Sequence, residues 1–343
     1  MGRRAGGLWG GRPAVWAAAL VLATAAVAAA DSAPEGFGPF SVRNFQPFQL
    51  LVLGMPGDRA AVMPKGALDI RVELAQTASI FDSNTPPVNA VVKFEQLRSG
   101  LFLRYGLAER LEVGLEIPAL YRWQGFGNGA IKAVEGITSG VAPARKSLQN
   151  TPYAYSVTKN GQTLFSGPDG ALGLGDTTIS AKYQVVKETS LLPAVSVRGA
   201  IKVPTGDAGE FFGSGHPDFG LGVALEKRLA PHWIVHQNLN GIFPTGTISG
   251  LTLQPGLSSI TAVEYLWSRA LSLTAQFDYY SSFYRNAGSP VLDKGVTEAT
   301  VGFSYLLRPT LLWQMYAVEN LDFITGSAAD FTLATVVTYR FGH

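Results

Sequence analysis

The sequence has no cysteine, few charged residues and, after its first thirty residues, no long apolar run. Without cysteine, the chain can form neither a disulfide framework nor a thiolate metal site. Charged residues make up 15% of the chain, well below the roughly 25% typical of soluble globular domains. Because no later segment offers 18 uninterrupted apolar residues, the sequence predicts no transmembrane helix beyond the N-terminus.

Histidine is also scarce. The four histidines are scattered, at His216, His232, His236 and His343. None of them belongs to a nucleophile–base motif, and no paired histidine spacing with carboxylates suggests a metal site. The sequence therefore predicts no catalytic residues, no metal and no cofactor.

The first thirty residues have the pattern of an export signal. Three arginines before residue 13 form a basic region, an Ala- and Val-rich core spans residues 14–30, and small residues end that core before Asp31. We predict cleavage near Ala30; an uncleaved membrane anchor is the alternative, which the Ala-rich composition disfavours. Removing the three arginines leaves 24 basic against 25 acidic residues, a balance that gives no indication of a nucleic-acid partner.

The clearest repeat unit lies in residues 101–122, LFLRYGLAERLEVGLEIPALYR. From Leu111 to Pro118, apolar residues alternate with glutamate, glycine and proline, and residues 101–106 show the same two-residue period. Only residues 107–110 separate the two runs, which predicts a tight hairpin. Such a period is typical of β-strands whose two faces meet different solvents.

Variants of this unit recur to the C-terminus and predict about twelve strands. In the second strand the alternation slips near Ser99–Gly100, where a β-bulge would restore the apolar face. The predicted strands span about 66–79, 91–105, 111–122, 176–186, 191–203, 219–229, 233–243, 255–267, 271–283, 296–307, 311–320 and 331–341. Short turns near 107, 188, 230, 269 and 308 alternate with longer loops near 85, 148, 211, 249, 289 and 325. This alternation is typical of bacterial outer-membrane barrels with both termini in the periplasm. The predicted fold is all-β, an antiparallel transmembrane β-barrel of about 12 strands.

Aromatic residues gather at the ends of the predicted strands. Lipid-facing aromatic girdles explain this placement, whereas a secreted soluble β-sandwich, the alternative fold, does not require it. The residues concerned are Tyr105, Tyr121, Trp233, Tyr265, Trp267, Tyr305 and Tyr339.

Two segments depart from the alternation. Residues 123–173 contain a helical spacing of small and apolar residues at 130, 134, 137 and 141 and the hairpin signal Asn160–Gly161, which together predict an external cap with one short helix. Residues 31–64 are punctuated by proline and glycine around the apolar run Phe48–Leu53; a short strand, a periplasmic lid and a plug all fit. The predicted organisation is a signal peptide at 1–30, this N-terminal segment at 31–64, and the barrel at 65–343.

Strand parity places fourteen ionisable residues on the polar, inward face. Their signs are mixed, so strong ion selectivity is not indicated. They either line an aqueous path or bind a polar solute, or they pair with one another and fill the interior of a small barrel. The residues are Asp69, Arg71, Glu73, Glu112, Glu116, Lys182, Arg198, Lys202, Glu226, Arg228, Glu264, Asp278, Glu298 and Arg340.

Three motifs and the aromatic last strand carry a family resemblance. YGLAERLEVGLEIP (105–118), GLGDTTISAKYQV (173–185) and IKVPTGD (201–207) resemble a Gram-negative outer-membrane barrel family of unknown function with a helix-bearing large loop after the third strand. The chain is also loosely similar to transporter-like barrels of the phenol-degradation meta-pathway. The resemblance implies an outer-membrane location, with outer-membrane lipid and the barrel-assembly machinery as partners.

From these observations we expect a barrel that passes or binds a small solute, which could be hydrophobic. The alternative is a structural or surface-interaction barrel with a filled lumen. An outer-membrane enzyme, a third class, would need a nucleophile at the barrel rim, and the sequence shows none.

Overall fold

The computed structural model describes residues 35–137, 141–321 and 329–342. The predicted export signal and the predicted loop near 325 lie outside these residues. The elements are β1 (Leu68–Thr85), β2 (Val88–Ala108), β3 (Leu111–Trp123), α1 (Asn128–Ile137), α2 (Pro143–Ser147), β4 (Ala154–Lys159), β5 (Gln162–Ser166), β6 (Ala171–Leu174), β7 (Thr177–Val186), β8 (Ala194–Val203), β9 (Asp218–Ala230), β10 (Trp233–Pro244), β11 (Thr247–Ile248), β12 (Leu251–Thr252), β13 (Gly256–Leu266), β14 (Leu271–Tyr280), α3 (Pro290–Asp293), β15 (Val296–Arg308), β16 (Leu311–Asn320) and β17 (Phe331–Phe341).

Twelve strands close into one antiparallel barrel. Around the wall the order is β1, β2, β3, β7, β8, β9, β10, β13, β14, β15, β16 and β17. The last strand returns to the first, with pairs running from Leu68 opposite Phe341 to Ala78 opposite Phe331. Closure leaves no unpaired edge along these strands, which is what a hydrocarbon surrounding demands. The predicted twelve-stranded fold is confirmed.

The two faces of the wall differ as the alternation predicts. Large apolar side chains, among them Leu221, Leu239 and Val301, are exposed on the outer face, while polar and charged residues of the same strands are buried inside. An outer apolar band around a polar interior is the surface of a transmembrane barrel. No helix in the described residues has the length and apolarity to cross a membrane.

The barrel has a short-turn end and a long-loop end. Aromatic side chains lie around the short-turn end: the ring centroids of Trp233 and Tyr265 are 4.7 Å apart, and Tyr105, Trp267 and Tyr339 are exposed beside other turns. Amphipathic aromatic rings are suited to a membrane–water interface.

Two details of the predicted strands are wrong. Residues 81–89 are not a loop, because β1 and β2 continue as a paired hairpin to Thr85 opposite Val88. The bulge expected near Ser99–Gly100 is absent, because both residues pair in continuous register with β1 and β3. The register of β2 shifts instead between Gly106 and Ala108, at the short turn.

The 123–173 insertion folds above the long-loop end. Its helices α1 and α2 precede a hairpin of β4 and β5, whose turn residues Asn160 and Gly161 have φ of 51° and 80°. Two positive φ values identify the predicted type I′ turn. Strand β4 pairs with β2 over Val88–Lys93, so the hairpin extends the barrel sheet beyond the membrane band.

The outward face gives a stability prediction. Val301 lies midway along β15 with 61% of its surface exposed, and we expect Val301→Lys to lower the free energy of unfolding by about 2–4 kcal/mol in lipid vesicles. The matched control is Leu191→Lys, which is 88% exposed near a short turn and should leave stability unchanged. Urea titration followed by tryptophan fluorescence measures both. Equal effects of the two substitutions would contradict the membrane-spanning placement.

Candidate functional site in the barrel interior

Residues 35–64, here called the internal segment, lie within the barrel. Near the short-turn end, the Phe37 backbone N–H donates to Glu264 Oε1 over 2.8 Å. At the long-loop end, the Tyr284 hydroxyl donates to the Phe48 carbonyl. The segment therefore enters from the short-turn end and rises through the full height of the barrel.

The second half of the internal segment descends. At the long-loop end the Leu53 N–H donates to Asp218 Oδ2 over 2.9 Å, and at the short-turn end the Met63 N–H donates to Glu112 Oε2 over 2.9 Å. The chain then passes directly into β1. The internal segment thus occupies the lumen and contributes no strand to the barrel wall.

Inward polar side chains satisfy the backbone of this segment. Arg198 donates to the carbonyls of Met55 and Pro56 over 3.2 and 2.7 Å. The Asn238 amide both accepts from the Asp58 N–H and donates to the Asp58 carbonyl, each over 3.0 Å. A buried chain without regular secondary structure needs such partners, since unpaired backbone groups are costly.

Thirteen of the fourteen ionisable residues predicted on the polar face line the interior, and the other, Arg228, donates to the Pro231 carbonyl at a short turn. Most of the thirteen contact the internal segment or one another. Their proposed role as the wall of a solute path stays a prediction. They are Asp69, Arg71, Glu73, Glu112, Glu116, Lys182, Arg198, Lys202, Glu226, Glu264, Asp278, Glu298 and Arg340.

One buried charge cluster links β1, β2 and β3 to the rising half of the internal segment. Arg98 donates to Glu73 Oε1 over 2.6 Å and also to Glu116, while 3% of its side chain is exposed. Arg43 of the internal segment pairs with Glu116 over 2.8 Å. The predicted set omits Arg98, because a bulge at Ser99–Gly100 would turn its side chain outward.

A second cluster links β2, β3 and β7 to the descending half. Lys182 Nζ lies 2.8 Å from Asp58 and 3.2 Å from Glu112. Arg104 lies 3.3 Å from Asp58 and 2.7 Å from Glu112. Two cations and two carboxylates therefore form a neutral square. Strand parity places Arg104 on the same inward face as Glu112, so the inward position of Arg104 could have been predicted. Nothing in the sequence pointed to Asp58.

Further pairs hold the internal segment at the long-loop end and at the short-turn end of the barrel. Lys202 lies 2.8 Å from Asp176 and 3.1 Å from Asp218 and donates to the Leu51 carbonyl over 2.5 Å. At the other end, Arg59 pairs with Glu226 over 2.7 Å. Asp218 was missed because it stands just before its predicted strand, whereas Asp176 begins its predicted strand and has the same parity as Lys182.

Other predicted residues pair within the wall. Asp69 and Arg340 lie opposite each other on β1 and β17 and pair over 2.8 Å. His236 Nε2 lies 3.2 Å from Glu264 Oε2. Among the described residues, no cluster of three or more histidine, aspartate or glutamate side chains is arranged to hold a metal ion.

Asp278 and Glu298 face each other across β14 and β15. Both carboxyls are buried, and the described residues place no cationic side chain within salt-bridge distance of either. Asp278 accepts hydrogen bonds from Gln276 and Thr300. This pair lines the interior without contributing to the attachment of the internal segment.

An apolar cluster covers the long-loop end. Phe165 of β5 is fully buried, with its ring centroid 5.5 Å from Phe48 and 5.8 Å from Tyr284. Burial raises the pKa of the Tyr284 hydroxyl well above its ordinary value, so the hydroxyl stays protonated as a donor to Phe48. We call this group the outer cluster; its buried members include Phe48, Leu51, Leu53, Val88, Val92, Phe94, Tyr155, Val157, Phe165, Ile248, Leu251, Phe283, Tyr284 and Leu292.

Comparison with known proteins identifies the fold of the barrel and the family of the chain. The fold is that of outer-membrane channels: the COG4313 outer membrane channel from Pseudomonas putida F1 superposes with a TM-score of 0.59 at 16% identity, covering 84% of this chain and 100% of the other. The chain belongs to the DUF3187 family, described as a protein of unknown function, whose model matches residues 17–341.

More distant barrels share less of the geometry. The NanC porin matches with a TM-score of 0.45 at 12% identity, over 80% of this chain and 100% of that one. The toluene transporter TodX of P. putida matches with a TM-score of 0.35 at 11% identity, over 82% and 91% of the two chains. No curated protein matches the sequence.

The first charge cluster yields a second stability prediction. Arg98→Met leaves Glu73 without a cationic partner and Glu116 with Arg43 alone, and we expect a loss of about 3–5 kcal/mol in the free energy of unfolding. Adding Glu73→Gln to Arg98→Met should restore part of the loss, because it removes one unpaired charge. Lys227→Met breaks the more exposed Lys227–Glu188 pair and should cost less than about 1 kcal/mol. Similar losses for Arg98→Met and Lys227→Met in urea titration would show that the Arg98 cluster is not buried in the folded protein.

Proposed function

We propose that this protein is an outer-membrane channel for a small solute and that the structure is its closed state. The internal segment is the plug of this channel, and the outer cluster is the cover over its external mouth. The protein reaches the outer membrane by export with cleavage near Ala30 and insertion by the barrel-assembly machinery. Residues 65–343 then form the barrel.

The position and attachment of the internal segment carry this proposal. A segment needed only to fill the lumen would be held best by close apolar packing, as in a protein core. Apolar packing holds residues 40–53, where Phe40, Phe45 and Phe48 are buried. The descending half, residues 54–64, buries fewer large apolar side chains and is held by hydrogen bonds and ion pairs such as Asp58–Lys182 and Arg59–Glu226. Because water can replace such partners, the descending half can leave the wall while exposing less apolar surface than residues 40–53 would.

The interior also suits a permeation path once the internal segment moves. Its inward charges are of both signs, so a polar or uncharged solute meets no single-sign barrier. Above them, the outer cluster offers aromatic surface, which favours a solute with an apolar part. The fold shared with an outer membrane channel supports the same class of function.

A disulfide that fixes the internal segment tests the proposal. Ala60 belongs to a small buried cluster with Ala194 of β8 and Ala224 of β9, and the chain has no cysteine of its own. We expect Ala60→Cys with Ala224→Cys, once oxidised, to show at least a tenfold lower opening frequency in planar bilayers than the same protein after reduction. The reason is that the crosslink ties the descending half of the segment to the wall.

The matched control places the disulfide within the wall. Thr77 and Thr332 pair across β1 and β17, with their hydroxyls 2.9 Å apart. Thr77→Cys with Thr332→Cys should conduct equally when oxidised and reduced. If the Ala60–Ala224 crosslink also leaves conductance unchanged, the internal segment is not the moving part.

The filled lumen favours one alternative, a structural or surface-interaction barrel. The outer cluster separates the two functions. Phe165→Ala removes its central ring, and in a channel it should raise conductance several-fold because the cover loosens. Phe126→Ala, at a ring that is 76% exposed, is the control and should change nothing. A folded Phe165→Ala barrel that stays silent would support the structural alternative.

A further inference from the structure

A cavity of about 110 Å³ lies between the descending half of the internal segment and the wall. Residues 54–58 form one side, and inward residues of β1, β2, β3, β7 and β8 form the other. The charged side chains around it are Asp58, Arg71, Arg104, Glu112, Glu116, Lys182 and Arg198. Four of these seven side chains are cationic and three are anionic.

The three carboxylates in this group are already paired. Asp58 and Glu112 each lie within salt-bridge distance of Lys182 and Arg104, the neutral square described above. Glu116, which also borders the cavity, pairs with Arg43 and Arg98. None of the three carboxylates is therefore paired directly with Arg71 or Arg198.

Arg71 keeps most of its donors free. Its Nη1 donates to the Ser41 hydroxyl, and its Nε is buried without a hydrogen-bond partner in the described structure. The guanidinium lies 5.5 Å from the ring centroid of Phe102, a contact that positions it but supplies no anion. A guanidinium has five N–H groups in a planar fork that matches an oxyanion.

Arg198 adds a second charge with different partners. It donates to Asn240 Oδ1 over 2.7 and 3.0 Å and to two carbonyls of the internal segment. These neutral acceptors orient its side chain without forming an ion pair with it. Among the described residues, no carboxylate lies within salt-bridge distance of Arg71 or Arg198.

From this geometry we propose that the cavity binds a small oxyanion, a carboxylate or phosphate, between Arg71 and Arg198. Arg71 supplies the free N–H groups, and both guanidiniums supply the charge. An isolated buried charge is costly, and an anion in the cavity offsets that cost. The size suits a small ion such as acetate or phosphate, since a cavity of about 150 Å³ holds a whole benzene ring. The site exists in the closed barrel and does not depend on conduction.

Thermal unfolding of the full chain in detergent tests this site. We expect sodium phosphate or sodium acetate to raise the unfolding midpoint more than sodium chloride at equal ionic strength. At an anion concentration one hundred times Kd, the unfolding equilibrium constant should fall about 100-fold. Stabilisation by phosphate alone identifies a phosphate site, and stabilisation by acetate identifies a carboxylate site. Equal stabilisation by chloride, or no effect of either oxyanion, overturns the proposal.

Variants of Arg71 separate binding from a structural role. Arg71→Met should be as stable as the native protein or more stable in anion-free buffer, because it removes an unbalanced charge. It should also lose at least tenfold in oxyanion affinity by titration calorimetry. Arg71→Lys should retain part of that affinity, and Arg308→Met, at an exposed turn residue, should retain all of it. Native affinity in Arg71→Met would overturn the proposal.

Discussion

Every backbone polar group inside a membrane-spanning structure needs a partner, and the architecture of this protein depends on that constraint. The wall meets it by closing, with β17 returning to β1 over eleven paired positions, so that no strand edge faces lipid. The internal segment meets it differently. Side chains of the wall supply its partners, as Arg198 and Asn238 do for residues 55–58.

The same constraint explains why the lumen is polar and mixed in charge. A segment that crosses the barrel twice without regular secondary structure presents both N–H and C=O groups, so the wall must offer acceptors and donors. Glu112, Glu226 and Glu264 accept from backbone N–H groups, while Lys182, Arg198 and Lys202 donate to carbonyls. Each charged side chain then needs a counter-ion, and the clusters follow. Among the described residues, Arg71 and Arg198 on one side of the barrel and Asp278 and Glu298 on β14 and β15 have no such counter-ion within salt-bridge distance.

The wall could be predicted from the sequence because its signal is local. A two-residue period and short turns such as 107–110 set the strand number, and Asn160–Gly161 set a hairpin. The β-bulge expected at Ser99–Gly100 was wrong because the apolar positions of β2 continue above the membrane band. In that part of β2 the helix-bearing loop covers the outer face, and Lys93 and Glu95 on this face are buried. The polarity of a residue there therefore does not indicate whether it faces lipid.

The interior could be predicted only in part. Strand parity identified Glu116 and Lys182 as inward-facing. Their partners Arg43 and Asp58 belong to a segment rich in proline and glycine, which has no two-residue alternation from which a side chain's direction could be predicted. Pairs such as Asp69–Arg340 join residues 271 positions apart, a separation that only closure of the barrel brings together. Sequence pattern therefore gives the face of a side chain, whereas its partner depends on the tertiary path of the internal segment.

In the proposed channel, residues 35–64 close a lumen that is otherwise wide enough to conduct. Single-channel recording of a barrel lacking residues 37–63 tests this claim most directly, with heat-modifiable migration used to verify that the variant is folded. Long-lived conductance steps, much larger than those of the full-length protein, are the expected result. A folded variant that remains silent would show that the wall and the outer cluster close the barrel without the internal segment.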